Sequence, residues 1–121
     1  MLCPLTVRTL KPGTFDQFRD AFMRHEDLDS VPAGYVRFNM IRRLENPDEV
    51  ICFGFFDGTV DELRRIVAER GYAEQLEAIA PFVQSVGADG LYEIVEEFAS
   101  GSASAEAHVH AMRRSVAQRQ Q

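Results

Sequence analysis

Between Cys3 and Leu10 the side chains alternate, with Leu5 and Val7 toward one face and Thr6 and Arg8 toward the other, the period-two signature of a strand. Lys11-Pro12-Gly13 breaks it. Thr14 and Gln17 then stand at capping-box spacing, and Phe15, Phe18 and Phe22 follow at helical intervals, which predicts a helix from Thr14 that fades near Asp29. Val31-Pro32-Ala33-Gly34 turns the chain into a second alternating stretch, Tyr35 to Leu44. The polar turn Glu45-Asn46-Pro47-Asp48 leads at once into Glu49 to Asp57, so these two stretches are expected to pair as an antiparallel hairpin. Thr59 and Glu62 repeat the capping-box spacing ahead of Leu63, Ile66 and Val67, and a second helix is expected to about Gly71. Helical spacing continues through Tyr72, Leu76, Ile79 and Val83, with Pro81 as a kink or a new start. Gly87 to Gly90 reads as a loop and Leu91 to Phe98 as a last strand.

The predicted order is β-α-β-β-α-β, a ferredoxin-like α+β domain with a four-stranded antiparallel sheet, spanning residues 1–99. Residues 100–104 are small and polar, a linker. Beyond it Ala105, His108, Val109, Met112 and Val116 share one helical face, so residues 100–121 are expected to form a linker and a C-terminal helix that docks on an acidic body, against the alternative of a frayed terminus.

Two helices cover only one face of such a sheet, and the other normally reads polar. Here it does not. Ile51, Phe53 and Phe55 lie on one side of the third strand and Val50, Cys52, Gly54 and Phe56 on the other. Leaving such side chains wet forfeits roughly 1.5–3 kcal/mol each. A self-complementary contact through Ile51, Phe53 and Phe55 is the commonest remedy, which predicts a homodimer with sheet facing sheet.

Composition narrows the function classes. The 121 residues carry 19 acidic and 13 basic groups, a net charge of −6 that repels a phosphate backbone and disfavours nucleic acid as a partner. No apolar run approaches the roughly 20 residues that cross a bilayer, and no basic-then-apolar leader opens the chain, so a cytoplasmic protein without membrane contact is expected. Two cysteines, Cys3 and Cys52, make no disulfide framework and no C-x-x-C site. His108 and His110 are two apart and point away from each other on a helix, so no metal is expected.

Leu10-Lys11-Pro12-Gly13, the stripe Phe15, Phe18, Phe22 and above all Arg42-Arg43-Leu44-Glu45-Asn46-Pro47-Asp48-Glu49-Val50 resemble the antibiotic biosynthesis monooxygenase family over about residues 3–98. The resemblance implies a small dimer whose two sheets close into an α/β barrel, with a ligand pocket between sheet and helices in each subunit. It also implies cofactor-free oxygenation of aromatic molecules or, in some members, haem degradation through an Asn, a Trp and a His. This chain places Thr6, Phe56 and Gly71 or Tyr72 where those three belong, so haem degradation is not expected and no cofactor is assigned.

On that placement Thr6, Arg8, Gly54 and Phe56 face the helices. Gly54 would leave room for a ligand, and Arg8 offers a fixed positive charge for a carboxylate, phenolate or enolate. The bland alternatives are a close-packed Gly54 and an Arg8 that pairs with an acid. His25 continues the first helix's buried stripe and is the candidate base for generating a carbanion, unless it serves only a terminal carbonyl. Tyr72 is a candidate pocket hydroxyl or a core ring. The functional expectation is a cofactor-independent monooxygenase-like protein, with Arg8 and His25 catalytic and Thr6, Gly54, Phe56 and Tyr72 binding a small aromatic or enolisable molecule. The alternative is a non-catalytic dimeric domain that binds a ligand or a partner.

Overall fold

A computed structural model describes residues 1–26 and 34–98. Its strands are β1 (Leu2–Leu10), β2 (Tyr35–Arg42), β3 (Glu49–Phe56) and β4 (Val83–Glu93). The helices are α1 (Phe15–Arg24), α2 (Val60–Glu69) and α3 (Tyr72–Ile79), followed by a 3₁₀ turn at Ala80–Phe82. All pairings are antiparallel, in the order β2-β3-β1-β4. This is the ferredoxin-like α+β arrangement that the alternation and capping signals predict. The expected linker and C-terminal helix, residues 100–121, lie outside the described residues.

The register fixes which side chains meet the helices. Thr6 lies opposite Cys52 and Arg8 opposite Val50, so the even-numbered residues of β1 and β3 share one face. On β3 that face holds the buried Val50, Cys52, Gly54 and Phe56, while Ile51, Phe53 and Phe55 are half-buried on the other. Leu10, Phe18, Ala21, Phe22, Val50, Cys52 and Ile79 form the core between sheet, α1 and α3. Its largest rings come from α1, because Phe15, Phe18 and Phe22 recur on one helical face.

The two turn motifs meet in space. Asp48 accepts the Gly13 backbone N–H on its carboxylate at 3.1 Å and the Leu10 N–H on its carbonyl at 2.7 Å. Asn46 caps its own turn by accepting the Asp48 N–H at 3.2 Å, and the Arg43 guanidinium pairs with Glu45 at 2.8 Å. Those residues therefore hold the β2–β3 turn against the β1–α1 turn. At α2, Thr59 accepts the Glu62 N–H at 3.2 Å, as its spacing predicts. Thr14 does not cap α1: its hydroxyl donates instead to the Lys11 carbonyl at 2.7 Å, which closes the preceding turn.

The expected loop at residues 87–90 and last strand from Leu91 to Phe98 need correction. β4 begins at Val83, directly after the 3₁₀ turn that contains Pro81, and residues 87–90 lie within it rather than in a loop. Thr6 pairs with Asp89 and Arg8 with Val86, so two steps along β1 face three along β4. β4 absorbs the extra residue as a bulge beside Gly87, and this is why a glycine-containing stretch can stay in an edge strand. β4 stops at Glu93 because β1 runs out: Leu2 is the partner of Glu93, and a last bond joins the Ile94 N–H to the Met1 carbonyl. Residues 94–98, expected to continue the strand, lie beyond its last pairing with β1.

Phe56 is fully buried and is clamped by two glycines. Gly34 takes φ +97°, and a β-carbon there would stand 2.8 Å from the ring; one on Gly58 would stand 2.5 Å from Cε1. The ring has nowhere to retreat. Gly58→Ala is expected to cost about 1–3 kcal/mol, read as a lower urea midpoint with an unchanged slope.

Candidate functional site

Arg8 is the only charged side chain among the described residues that is buried, at 3% exposure. Strand alternation puts it there, since β1 turns its even positions toward the helices. Its Nη1 finds no hydrogen-bond partner. Phe18 offers an aromatic face 5.9 Å from the guanidinium carbon, a partial compensation. Two neighbours that could carry a countercharge stay neutral. Burial pushes the Cys52 thiol up to about 11, against the opposing pull of Arg8. Burial also raises the Tyr72 phenol, the positive charge of Arg8 opposes that rise without cancelling it, and Asp89 adds to it. Glu26 acts electrostatically on Cys52, but its carboxylate accepts from the Gln75 amide at 3.0 Å. The result is a buried cation among neutral hydroxyl, thiol and aromatic groups, an arrangement suited to stabilising negative charge that arises beside it.

Thr6 and Tyr72 join Arg8 in this cluster. Thr6 donates to the Asp89 carboxylate at 3.0 Å across the β1–β4 pair. Tyr72 reaches in from the first turn of α3, immediately after Gly71 in the left-handed region.

Gly54 does not open the space expected of it. Phe38 lies opposite Gly54 on β2, and a β-carbon on Gly54 would meet the Phe38 ring at 3.3 Å and the Tyr35 ring at 3.5 Å. The glycine therefore admits its neighbours' rings, the packing by which aromatics cover glycine in sheets. Phe38 stacks in turn on Phe22 at 5.8 Å, and Tyr35 meets Phe56 edge-on at 5.3 Å. His25 is exposed at the C-cap of α1, so the buried stripe ends at Phe22. The Phe22 carbonyl accepts from the Gln75 amide at 3.0 Å and from the His25 backbone N–H at 3.3 Å, so the carbonyl-binding work falls to Gln75 and not to the imidazole.

Three participants escape sequence reasoning. Asp89 is hidden by reading residues 87–90 as a loop. Cys52 reads as a small apolar strand residue, which it also is. Gln75 carries a usable signal, because it stands three residues after Tyr72 and four before Ile79, on their helical face, and it is buried on α3. No group of three or more His, Cys, Asp or Glu residues able to hold a metal occurs among the described residues. Nor is any helix among them long and apolar enough to cross a membrane.

No protein-family model and no curated protein sequence matches the chain. Solved structures do. SnoaB, a cofactor-independent oxygenase from Streptomyces nogalater, is similar over 82% of this chain and 97% of its own, with a TM-score of 0.66 and 18% identity. A structure from Deinococcus radiodurans provisionally named as an antibiotic biosynthesis monooxygenase covers 84% of this chain and 100% of its own at TM-score 0.68 and 13% identity. A third, of the same provisional name from Chloroflexus aurantiacus J-10-fl, covers 83% and 98% at TM-score 0.64 and 11% identity. This is the antibiotic biosynthesis monooxygenase fold. At such identities the likeness is one of backbone, and the chemistry of the antibiotic biosynthesis monooxygenase fold has to be argued from the side chains each chain places on it. Here the polar ones are Arg8, Tyr72, Thr6 and Asp89.

Proposed function

We propose that the chain is a cofactor-independent oxygenase acting on a small aromatic or enolisable molecule, and that it works as a homodimer joined through the sheet face bearing Ile51, Phe53 and Phe55. The observation that carries the reading is the buried Arg8 guanidinium with Nη1 unpartnered beside the Tyr72 hydroxyl. A substrate that loses a proton leaves an enolate or phenolate, and a preorganised cation in a dry site stabilises that anion far more than water does. Molecular oxygen then reacts with the electron-rich anion directly. The fold shared with SnoaB, an oxygenase described as cofactor-independent, supports the same assignment.

A second reading has its own support. The rings of Phe38 and Tyr35 over Gly54, together with the full burial of Phe56, favour a domain that binds a ligand or a partner without turning it over. Oxygen uptake with anthrone in air-saturated buffer separates the two. Uptake well above the uncatalysed rate, saturating with anthrone, is the result expected of the oxygenase. Thermal stabilisation by anthrone with no uptake would assign the binding role instead.

A further inference from the structure

We propose that residues 105–121 of the same chain dock as a helix on the side of β4 that carries Val86, Asp89, Leu91 and Glu93. The register sets this row. Val86 pairs with Arg8, Asp89 with Thr6, Leu91 with Pro4 and Glu93 with Leu2, so all four lie on the face turned toward the helices. The existing helices leave it uncovered. The core between them and the sheet takes only Val83 from β4, while Val86 and Leu91 stand 52% and 39% exposed and both acids are exposed. This edge strand thus presents two apolar side chains alternating with two carboxylates, on the face opposite Ile51, Phe53 and Phe55.

The end of the chain fits this row in charge, pattern and length. Residues 100–121, outside the described residues, hold three arginines against one glutamate, a net +2, so the rest of the chain carries −8. At about 100° per residue, Arg113 and Arg119 flank the helical face formed by Ala105, His108, Val109, Met112 and Val116, whereas Arg114 falls opposite it. A helix from Ala105 to Val116 rises about 17 Å, and β4 covers about the same distance from Leu91 back to Val86. An isolated helix of this length is marginal in water, so it gains by resting its apolar face on those two side chains. That apolar contact holds the helix. Arg113 and Arg119 beside Asp89 and Glu93 set its orientation, since exposed ion pairs add little by themselves. β4 ends at Glu93, and residues 94–104, finishing in the small and polar 100–104, supply the reversal.

Trypsin reads the docking in the full chain, because Arg113 and Arg114 lie within the helix. The expected result is slow cleavage at these two sites in the wild type and cleavage at least tenfold faster in Leu91→Glu, Val86→Glu and Met112→Glu. Leu44→Glu, at the exposed β2–β3 turn, keeps the wild-type rate. Cleavage confined to residues 113 and 114 shows that the domain stays folded, and either β4 variant alone suffices for the test. Equal rates in the wild type and Met112→Glu would overturn the proposal, because the segment would then have no seat. Acceleration in Met112→Glu without acceleration in a folded β4 variant would place the seat elsewhere and overturn it too. Protection that vanishes in a Phe53→Asp monomer would give the seat to the partner subunit, against docking within one chain.

Discussion

Arg8→Met is expected to produce a protein that is more stable than the wild type and inactive toward anthrone. A guanidinium buried to 3% exposure, with Nη1 unpartnered, has given up its hydration for one aromatic face and for contact with the neutral Cys52 and Tyr72. Buried charges of this kind are retained against a desolvation cost, and exchange for an apolar side chain of similar length commonly recovers about 1–4 kcal/mol. Methionine follows the aliphatic stem and bends into irregular space, so little packing is lost. Urea unfolding at fixed protein concentration would show the midpoint rise, while oxygen uptake falls by about 100-fold, the scale of losing one preorganised group that stabilises a developing anion. A destabilised Arg8→Met would mean that the guanidinium has a structural partner, and the case for a charge held in reserve would fall.

Phe53→Asp is expected to convert a dimer into a monomer without unfolding the chain. Phe53 lies at the centre of the open sheet face, beside Phe55 at a ring separation of 5.9 Å and opposite both Leu5 and Asn39 on the neighbouring strands. Its side chain points away from α1 and α3, so the intrachain core does not depend on it. In a two-fold interface the substitution occurs twice. At about 2 kcal/mol or more for each desolvated carboxylate, the dissociation constant rises by about a thousandfold. Light scattering on a sizing column at micromolar concentration reads this directly: wild type at twice the 13.7 kDa chain mass, Phe53→Asp at the single mass. A wild-type monomer would remove the proposed homodimer, and an unchanged dimer in the variant would move the interface elsewhere.

The fold was largely legible because its signals are short-range. Alternation in β1 and β3 set the faces, and the polar turn at residues 45–48 set the hairpin. Thr59 with Glu62 set the start of α2. β4 was not legible, since its membership in the sheet depends on β1 lying beside it and on a bulge that absorbs Gly87; neither leaves a local trace. The same non-local fact hid Asp89, which joins the site only through its cross-strand pairing with Thr6. Arg8, Thr6 and Tyr72 come together because β1's alternation and the first position of α3 direct all three toward the same interior. Gly54 misled for an instructive reason. A missing side chain is visible in sequence, whereas the rings that come across from β2 to fill its place belong to residues 16 and 19 positions earlier.

That last contact moves the control of the space beside Gly54 from one strand to another. That space is filled from Tyr35 and Phe38, on the edge strand β2, and not by any side chain of β3 at that position. Trimming Tyr35 and Phe38 would empty that space with every backbone hydrogen bond of the sheet left in place, since neither side chain takes part in the strand pairing.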